Sequence, residues 1–523
     1  MEKVRKFSKG LKRGVSVSLI AVTALGLTAC GNRKTTGNGD GDTLTYWMKL
    51  PGNIATSVAN YAETPFAKEY MKRTGIEVTY THPAQGQEDE ALNLLLASGN
   101  LPDIIETDWI AKNPDSMIQK NIIQSLNDVI DTKAPNLKKF LSENPEIDRD
   151  VKTDSGNYYA FPFIRNGEKL LNISGLMIRD DWMRELNLEY PETIDEWEKV
   201  LTEFKEKKGA KCPLVGDVWT ILYFTGGYGI ADGVYVDNGK IKYGTIESGF
   251  GKFLETMNRW YKNGLIDKNF ATIDTKYKNT CILDGSGGAA MGAGGSGMGA
   301  WITGARANGN SGYSLKATKA LVEKRGDLPR FTTRELKHTP KGDAAITRDC
   351  KNVDAAVKFL DYSYSDEGAM LNNFGIEGES YTMEDGNPKY TENIVNNAEG
   401  LPMSQMLTMY ARSSAEGPFV QDERYIEQYY QLPEQQDALN TWSINDAAQT
   451  KVPQLTLTEE EKQEYSSIMT DFNTFRDENI LAFIMGTRPI SEFDTFVQEC
   501  KDRKIERAVE IYQTAYDRYL NRK

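Results

Sequence analysis

The chain has 523 residues, 39% of them apolar, and a formal net charge of −13 at pH 7. This length suffices for two or three domains, and the acidic balance argues against a nucleic-acid partner, which would need a basic surface. Only two histidines are present, so histidine-based catalytic triads and histidine-rich metal sites are poor candidates.

The N-terminal segment has the pattern of a bacterial lipoprotein signal. Lysines and arginines cluster in residues 1–13, and residues 15–27 are apolar but too short to span a membrane. The following Leu-Thr-Ala-Cys30 is similar to a lipobox, in which cleavage precedes the cysteine and its thiol is acylated. We expect a signal peptide over residues 1–29 and a palmitate-type lipid anchor on Cys30. An ordinary secretory signal with a chance cysteine is the alternative.

Residues 30–43 are rich in glycine and small polar side chains, a composition typical of a flexible tether. Asp40 and Asp42 resemble the start of a calcium loop, but no glutamate follows at the required spacing. A solvated linker is therefore favoured.

Four cysteines follow Cys30, namely Cys212, Cys281, Cys350 and Cys500. Their spacing matches no metal motif and is too sparse for a disulfide scaffold. One or two disulfide bridges stay open, and isolated buried thiols are favoured. We expect no metal site and no cofactor.

The first predicted unit alternates strands with helices. The predicted elements are a strand over residues 44–48, a helix over 65–74, a strand over 76–80, a helix over 88–98 and a strand over 103–105. This order implies a parallel sheet covered by helices. Because ligands bind outside the carboxyl ends of such strands, we expect Trp47, Met48, Asp108 and Trp109 at a ligand-facing rim.

A second α/β unit and a helical C-terminal third follow. Thr193 with Glu196 and Thr458 with Glu461 form capping boxes that start two helices. The other predicted elements are an extended stretch over 158–163, strands over 176–178 and 344–346, and helices from residue 180, over 353–362 and over 505–520.

Five segments, in order, resemble the lipoprotein substrate-binding proteins of carbohydrate ABC importers, in particular a large Gram-positive subgroup of the maltose-binding type. They are residues 97–103 (Ala-Ser-Gly-Asn-Leu-Pro-Asp), 178–188 together with 191–197, 263–267 (Asn-Gly-Leu-Ile-Asp), 359–368 and 373–381. The resemblance runs from about Leu44 to the C-terminus.

The resemblance implies an α/β, two-lobe, periplasmic-binding-protein-like fold of type II, in which each lobe is a mixed sheet flanked by helices and the C-terminal region is helical. The implied division is lobe 1 over 44–165 plus 345–400 and lobe 2 over 166–344 plus 405–523. The chain would cross between lobes near 163–170, near 339–344 and around Leu401. Ligand would stabilise the closed form, because only that form contacts it from both sides.

A pocket for sugar needs aromatic faces for the C–H surface of the ring and planar polar side chains for its hydroxyls. The candidate ligand-binding residues are Trp47, Asp108, Trp109, Phe163, Arg165, Trp219, Tyr228, Trp301 and Glu377. For each of them, packing or ion pairing is the structural alternative. Trp182 and Trp197 lie in the first turns of predicted helices and are predicted core residues.

Residues 285–299 are rich in glycine, and part of this stretch matches G-x-G-x-x-G. A dinucleotide site would need an acidic residue about twenty positions later; the first is Glu323, and no βαβ unit is evident. By the resemblance, residues 289–291 lead into the cleft and Trp301 takes the aromatic stacking position. The glycines would then let backbone approach the ligand or bend.

The predicted function is a lipid-anchored, extracellular, monomeric substrate-binding protein that captures a sugar, in particular an oligosaccharide, and delivers it to the permease subunits of an ABC importer. It has no catalytic residues in this interpretation. A binding protein for a peptide or another polar solute is the alternative. A cell-surface glycosidase, which needs two suitably spaced carboxylates, and an adhesive lipoprotein are alternatives of a different class.

Overall fold

The computed structural model describes residues 43–522. The predicted signal peptide, Cys30 and almost all of the tether lie outside the described residues. The strands are β1 (Thr43–Trp47), β2 (Glu77–Thr81), β3 (Ile104–Glu106), β4 (Ile164–Asn166), β5 (Ser174–Arg179), β6 (Cys212–Val215), β7 (Val234–Asp237), β8 (Lys240–Tyr243), β9 (Gly287–Ala293), β10 (Leu315–Ala317), β11 (Ala344–Ile346), β12 (Tyr381–Glu384), β13 (Asn387–Tyr390) and β14 (Val420–Asp422).

The helices up to the glycine-rich segment are α1 (Pro65–Thr74), α2 (Glu88–Ser98), α3 (Pro114–Gln119), α4 (Asn127–Lys133), α5 (Pro135–Glu143), α6 (Pro145–Asp150), α7 (Glu168–Leu171), α8 (Asp180–Glu185), α9 (Ile194–Lys208), α10 (Val218–Leu222), α11 (Ser248–Lys262) and α12 (Thr275–Leu283). The later helices are α13 (Ala300–Ala307), α14 (Val353–Tyr362), α15 (Asp366–Phe374), α16 (Glu392–Val395), α17 (Met403–Tyr410), α18 (Glu423–Tyr429), α19 (Pro433–Trp442), α20 (Glu459–Met485), α21 (Phe493–Asp502) and α22 (Ile505–Leu520).

The first sheet has the strand order β11-β3-β1-β2. Strand β1 pairs in parallel with both β2 and β3, as the strand–helix order predicts, whereas β11 joins the edge in the antiparallel direction. Apolar side chains of these strands and of the covering helices form one core, with Tyr46, Ile104, Ile346 and Phe359 among its buried members. The carboxyl ends of β1 and β3 consequently meet at one edge.

The second sheet has the order β10-β5-β9-β6 and is mixed, because β6 pairs with β9 in parallel while β5 pairs with β9 and with β10 in antiparallel fashion. Its larger core includes Trp182 and Trp197, so the prediction that both are packing residues is confirmed. The long helix α20 packs against α11 on this core.

The chain runs between the two sheets through adjacent segments. Strand β4 pairs in parallel with β14, and Ile164 also bridges to His338 in the antiparallel direction. Further along, Asn53 Nδ2 donates to the carbonyl oxygen of Ser404 at 2.9 Å. The segment that begins at α17 is thus still bound to the first sheet's side, past Leu401.

The glycine-rich segment forms β9 and then a π-helical turn over residues 294–299. A Cβ at Gly288 would lie 2.4 Å from the Phe204 ring, and one at Gly294 would lie 2.5 Å from the Tyr430 ring. These glycines allow aromatic side chains to pack directly on the backbone. Close packing accounts for these two glycines.

Within residues 43–522, no helix combines the length and the apolar character that a membrane span requires. Cys212, Cys281, Cys350 and Cys500 are all buried and unbridged. The prediction of buried thiols is confirmed, but Cys212 and Cys281 are not isolated, because their Sγ atoms lie within 4.8 Å of each other.

Candidate ligand-binding cavity

A cavity of about 790 Å³ opens at the carboxyl ends of β1 and β3. Residues just after these strands, including Met48, Lys49, Thr107 and Asp108, line one side of it, and residues 412–416 line another. Its volume falls within the range of roughly 300–1,000 Å³ that small-molecule sites occupy. The position is the one at which open α/β sheets bind ligands.

A buried ion pair lies in this cavity. Arg412 Nη2 donates to Glu106 Oε1 at 2.7 Å, and the hydroxyl of Tyr46 donates to Glu106 Oε2 at 2.7 Å. Arg412 also donates to the carbonyl oxygen of Glu416. A Cβ at Gly417 would lie 2.2 Å from Arg412 Cζ, so only glycine leaves room for the guanidinium. The pair fixes the loop that follows α17 to the end of β3.

Burial shifts the proton affinities of these groups. Burial raises the pKa of the Tyr46 hydroxyl well above its ordinary value, and the Glu106 charge adds to that increase. Burial alone would lower the pKa of Arg412, but Glu106 and the neighbouring tyrosines raise it above the ordinary value. Both groups therefore keep their protons, and Arg412 carries a fixed positive charge.

The charges that line the cavity balance in number. Five are basic and five acidic: Lys49, Lys112, Arg165, Lys341 and Arg412, and Glu88, Asp89, Glu106, Asp108 and Glu416. Three ion pairs account for six of them, with N–O distances of 3.4 Å for Lys49–Glu88, 3.8 Å for Lys112–Asp89 and 2.7 Å for Arg412–Glu106.

Arg165 and Lys341 have no ion-pair partner within 4.0 Å among the described residues, although both influence the nearby Glu416 carboxyl. Burial raises the pKa of Glu416, while Lys341 and Arg165 partly offset that increase. The cations of Arg165 and Lys341 are thus available to hydroxyl or carboxylate groups of a solute. The carboxyl groups of Glu416 and Asp108 are available to its hydroxyl groups.

Aromatic side chains complete the lining. Trp47, Phe163 and Tyr425 are all buried within the fold yet border the cavity. The Phe163 ring packs against Phe419 with centroids 5.1 Å apart, and the backbone N–H of Phe163 donates to Asp343 Oδ1 at 3.1 Å. The crossing segments therefore hold this wall in place.

Four of the nine candidate residues from the sequence lie together in the cavity, namely Trp47, Asp108, Phe163 and Arg165. Asp108 also accepts a hydrogen bond from the backbone N–H of Ala111 at 3.0 Å, so one of its oxygens closes the turn that follows β3.

Two aromatic candidates lie in the cores, and a third, Tyr228, is partly buried against one of these cores. Trp109 is fully buried, and its Nε1 donates to the carbonyl oxygen of Ile105 at 3.2 Å. Trp301 is 4% exposed, and its Nε1 donates to Asn279 Oδ1 at 2.7 Å. Tyr228 packs edge-on against Phe253, with centroids 6.2 Å apart. These three side chains contact neighbouring residues of the fold and do not border the cavity.

The remaining two candidates are exposed. Trp219 lies on α10, just past the carboxyl end of β6, and 72% of it is exposed. Glu377 lies in the exposed loop between α15 and β12, and it does not border the cavity.

Sequence reasoning missed Glu106, Lys341, Arg412 and Glu416. Glu106 directly follows the strand predicted over residues 103–105 and ends the observed β3, and a carboxylate at such a strand end is a usable signal. Arg412 lies 306 positions from its partner, and no local pattern marks such a residue.

Comparison with known proteins agrees with this geometry. Residues 55–370, more than half of the chain, match the model of the family described as bacterial extracellular solute-binding protein. The chain belongs to this family. The likeness noted from the sequence is thereby confirmed, and the family is one of binding proteins.

Individual relatives span most of the chain. The fructooligosaccharide ABC transporter substrate-binding protein FusA of Streptococcus pneumoniae is 24% identical over 99% of both chains. Lipoprotein LipO of Bacillus subtilis is 23% identical over 70% of this chain and 73% of its own. The crystal structure of alginate-binding protein AlgQ2 superimposes with a TM-score of 0.69 at 26% identity, over 91% of this chain and 98% of its own. The predicted α/β fold of the type II solute-binding proteins is confirmed.

Proposed function

We propose that this protein captures an oligosaccharide in the cavity at the ends of β1 and β3 and delivers it to the permease of an ABC importer. The observation that carries the proposal is the cavity itself, in which charged planar side chains stand beside Trp47, Phe163 and Tyr425. Such a lining suits hydroxyl-rich rings with apolar faces. The relatives FusA and AlgQ2 are named as fructooligosaccharide-binding and alginate-binding proteins, which supports a saccharide as the solute of this protein.

The charges that line the cavity indicate which charge the solute carries. Five basic and five acidic residues line it, so its overall balance suits a neutral or weakly acidic saccharide. A free peptide or another polar solute is the second candidate within the same class. A glycosidase or an adhesive lipoprotein is less well supported, because the named relatives are a substrate-binding protein and an alginate-binding protein.

The closing motion belongs to the same proposal. One lobe contains the first sheet with residues 44–165 and 345–419, and the other contains the second sheet with residues 166–344 and 423–523, the crossing being made by β14. Because Ser404 still contacts Asn53, we place the third crossing at β14 instead of Leu401. Closure would bring the exposed Trp219 toward the solute as a stacking surface.

Attachment to the outer face of the cell membrane through lipid on Cys30 completes the proposal, with the protein acting as a monomer. The lipobox-like sequence supports the anchor, as does the similarity to a lipoprotein. Neither a metal nor a cofactor is needed to hold the solute.

A thermal-shift screen tests the proposal. Neutral fructooligosaccharides, uronate oligosaccharides and short peptides are each added to the purified chain, and a ligand that prefers the folded state raises its melting temperature. We expect a saccharide to raise it, and Arg165→Ala or Lys341→Ala to reduce that shift. Lys389→Ala, on an exposed pair with Glu384 away from the cavity, is the control and should leave the shift unchanged. A melting temperature that rises with peptides but with no saccharide would contradict the proposal of a saccharide ligand.

A further inference from the structure

Three chemically reactive side chains from different elements converge away from the cavity. Cys212 begins β6, Cys281 lies on α12, and Asp267 follows α11 in a turn. The two Sγ atoms and one carboxylate oxygen all lie within 4.8 Å of one another. All three residues are buried, with 7%, 5% and 2% exposure respectively.

Backbone hydrogen bonds hold these residues in position. The N–H of Cys212 donates to the carbonyl oxygen of Ser286 at 3.0 Å, which ties β6 to the segment after α12. Asp267 donates its N–H to Leu214 at 3.3 Å, and its Oδ1 accepts the N–H of Asn269 at 2.8 Å. The three ligand atoms are thus brought together by the fold itself.

One carboxylate oxygen in the cluster lacks a strong hydrogen-bond partner. Asp267 Oδ2 is buried and receives no N–H or O–H donor among the described residues. The thiol of Cys212 is the hydrogen-bonding neighbour of this carboxylate, and Asp267 has no ion-pair partner within 4.0 Å in that part of the chain. A buried carboxylate without such a partner is costly. A cation at this point removes the cost.

We propose that Cys212, Cys281 and Asp267 bind one Zn²⁺ ion as a structural site. Thiolates with a carboxylate suit zinc. Tetrahedral Zn–S bonds of about 2.3 Å place two sulfurs roughly 3.8 Å apart, which requires only a small contraction of the cluster. Each thiol releases its proton to solvent on binding. The hydroxyl of Tyr277, which accepts Asn269 Nδ2 at 3.1 Å, or a water supplies the fourth ligand.

A disulfide between Cys212 and Cys281 is the competing outcome. It requires the sulfurs to approach to about 2.05 Å, and it leaves Asp267 Oδ2 without a partner. The zinc site uses all three groups, and it joins β6, α12 and the turn after α11. This inference does not depend on the proposed function of the cavity.

The test is titration of the full-length chain, reduced and freed of metal by a chelator, with Co²⁺ followed by Zn²⁺. Cobalt bound to thiolates gives sulfur-to-metal charge-transfer absorption and the visible bands of a tetrahedral site. We expect one Co²⁺ per chain, displaced by one Zn²⁺. Cys212→Ser and Cys281→Ser should each abolish the charge-transfer bands, and Asp267→Asn should weaken binding at least tenfold. Cys350→Ser, a buried thiol elsewhere, should bind as the unmodified chain does.

Absence of stoichiometric, thiolate-coupled Co²⁺ binding by the unmodified chain would overturn the proposal even if a variant failed to fold. Metal binding that survives both Cys212→Ser and Cys281→Ser would also overturn it. The mass of chain isolated without reductant distinguishes the disulfide, because a Cys212–Cys281 bridge that re-forms in preference to metal binding contradicts the zinc site.

Discussion

Arg412 is the residue on which the electrostatics of the cavity most depend. Its guanidinium donates to Glu106 and to the backbone carbonyl of Glu416, the Tyr46 hydroxyl donates to the same Glu106 carboxylate, and both partners of the ion pair are 8% exposed. Removing one member of a buried pair leaves the other charge without compensation, which costs far more than the loss of a surface pair.

We therefore predict that Arg412→Leu lowers the free energy of unfolding by about 3–5 kcal/mol. Arg507 pairs with Glu464 through two hydrogen bonds, but on the surface. Arg507→Leu is the matched control and should change stability little, since solvent screens exposed pairs. Urea denaturation of both variants measures the difference, and equal midpoints would contradict the assigned role of Arg412.

Two tryptophans that sequence reasoning treats alike differ in burial. Trp301 is 4% exposed and Trp219 is 72% exposed. We predict that Trp301→Ala lowers the free energy of unfolding by roughly 3–5 kcal/mol, because a large buried side chain leaves a cavity. Trp219→Ala should leave stability nearly unchanged and weaken saccharide binding about tenfold through lost stacking.

Thermal melting gives the first effect and calorimetry the second. Leu328→Ala, at another exposed apolar side chain, is the control for Trp219 and should preserve affinity. Unchanged affinity in Trp219→Ala would remove Trp219 from the proposed site.

At the scale of elements, local sequence rules account for much of the fold. The predicted bounds of α2, α14 and α22 agree with those observed. The start of α1 follows from its cap, because Thr64 Oγ1 accepts the N–H of Ala67 and Pro65 begins the helix. These features are short-range, so they can be deduced from neighbouring residues alone.

The long-range arrangement could not be deduced in the same way. The antiparallel addition of β11 to β3 and the pairing of β14 with β4 join segments more than 200 positions apart. Trp47 and Phe163 border the cavity, as expected for aromatic residues near strand ends. Trp109 is instead fully buried, because the burial of such a residue depends on the helices that pack over it.

The crossing segments contain a buried ionisable cluster. His338 Nε2 lies 2.9 Å from Asp343 Oδ2, and the hydroxyl of Tyr159 donates to the same oxygen at 2.8 Å. Burial alone would lower the pKa of His338, but Asp343 and then Asp150 raise it above the ordinary value. The pKa of the Asp343 carboxyl is also raised, and in this case burial is the main cause.

A raised pKa for His338 means that its stabilising effect is complete below about pH 6.5 and is lost as the pH rises through the folded value. The raised pKa of Asp343 acts in the same direction. We predict that the free energy of unfolding falls more steeply between pH 6 and 8.5 in the unmodified chain than in His338→Gln. Urea midpoints across this range measure the slopes, and identical slopes would show that His338 does not titrate as proposed.

At the scale of the whole molecule, two four-stranded sheets with separate cores are joined by adjacent crossing segments, and the cavity lies at the edge of the first sheet. Such an arrangement permits one part to move against the other while the crossing strands stay paired. A solute that contacts both parts would favour the closed form by the difference between its affinities for the two states.

Isothermal titration calorimetry with the saccharide selected by the thermal-shift screen tests the central claim most directly. The sugar is recovered after the titration, and its mass is measured by mass spectrometry. The account predicts saturable binding of one saccharide per chain and recovery of the sugar with its mass unchanged. Absence of binding by every saccharide in the panel, or recovery of cleaved sugar, would contradict it.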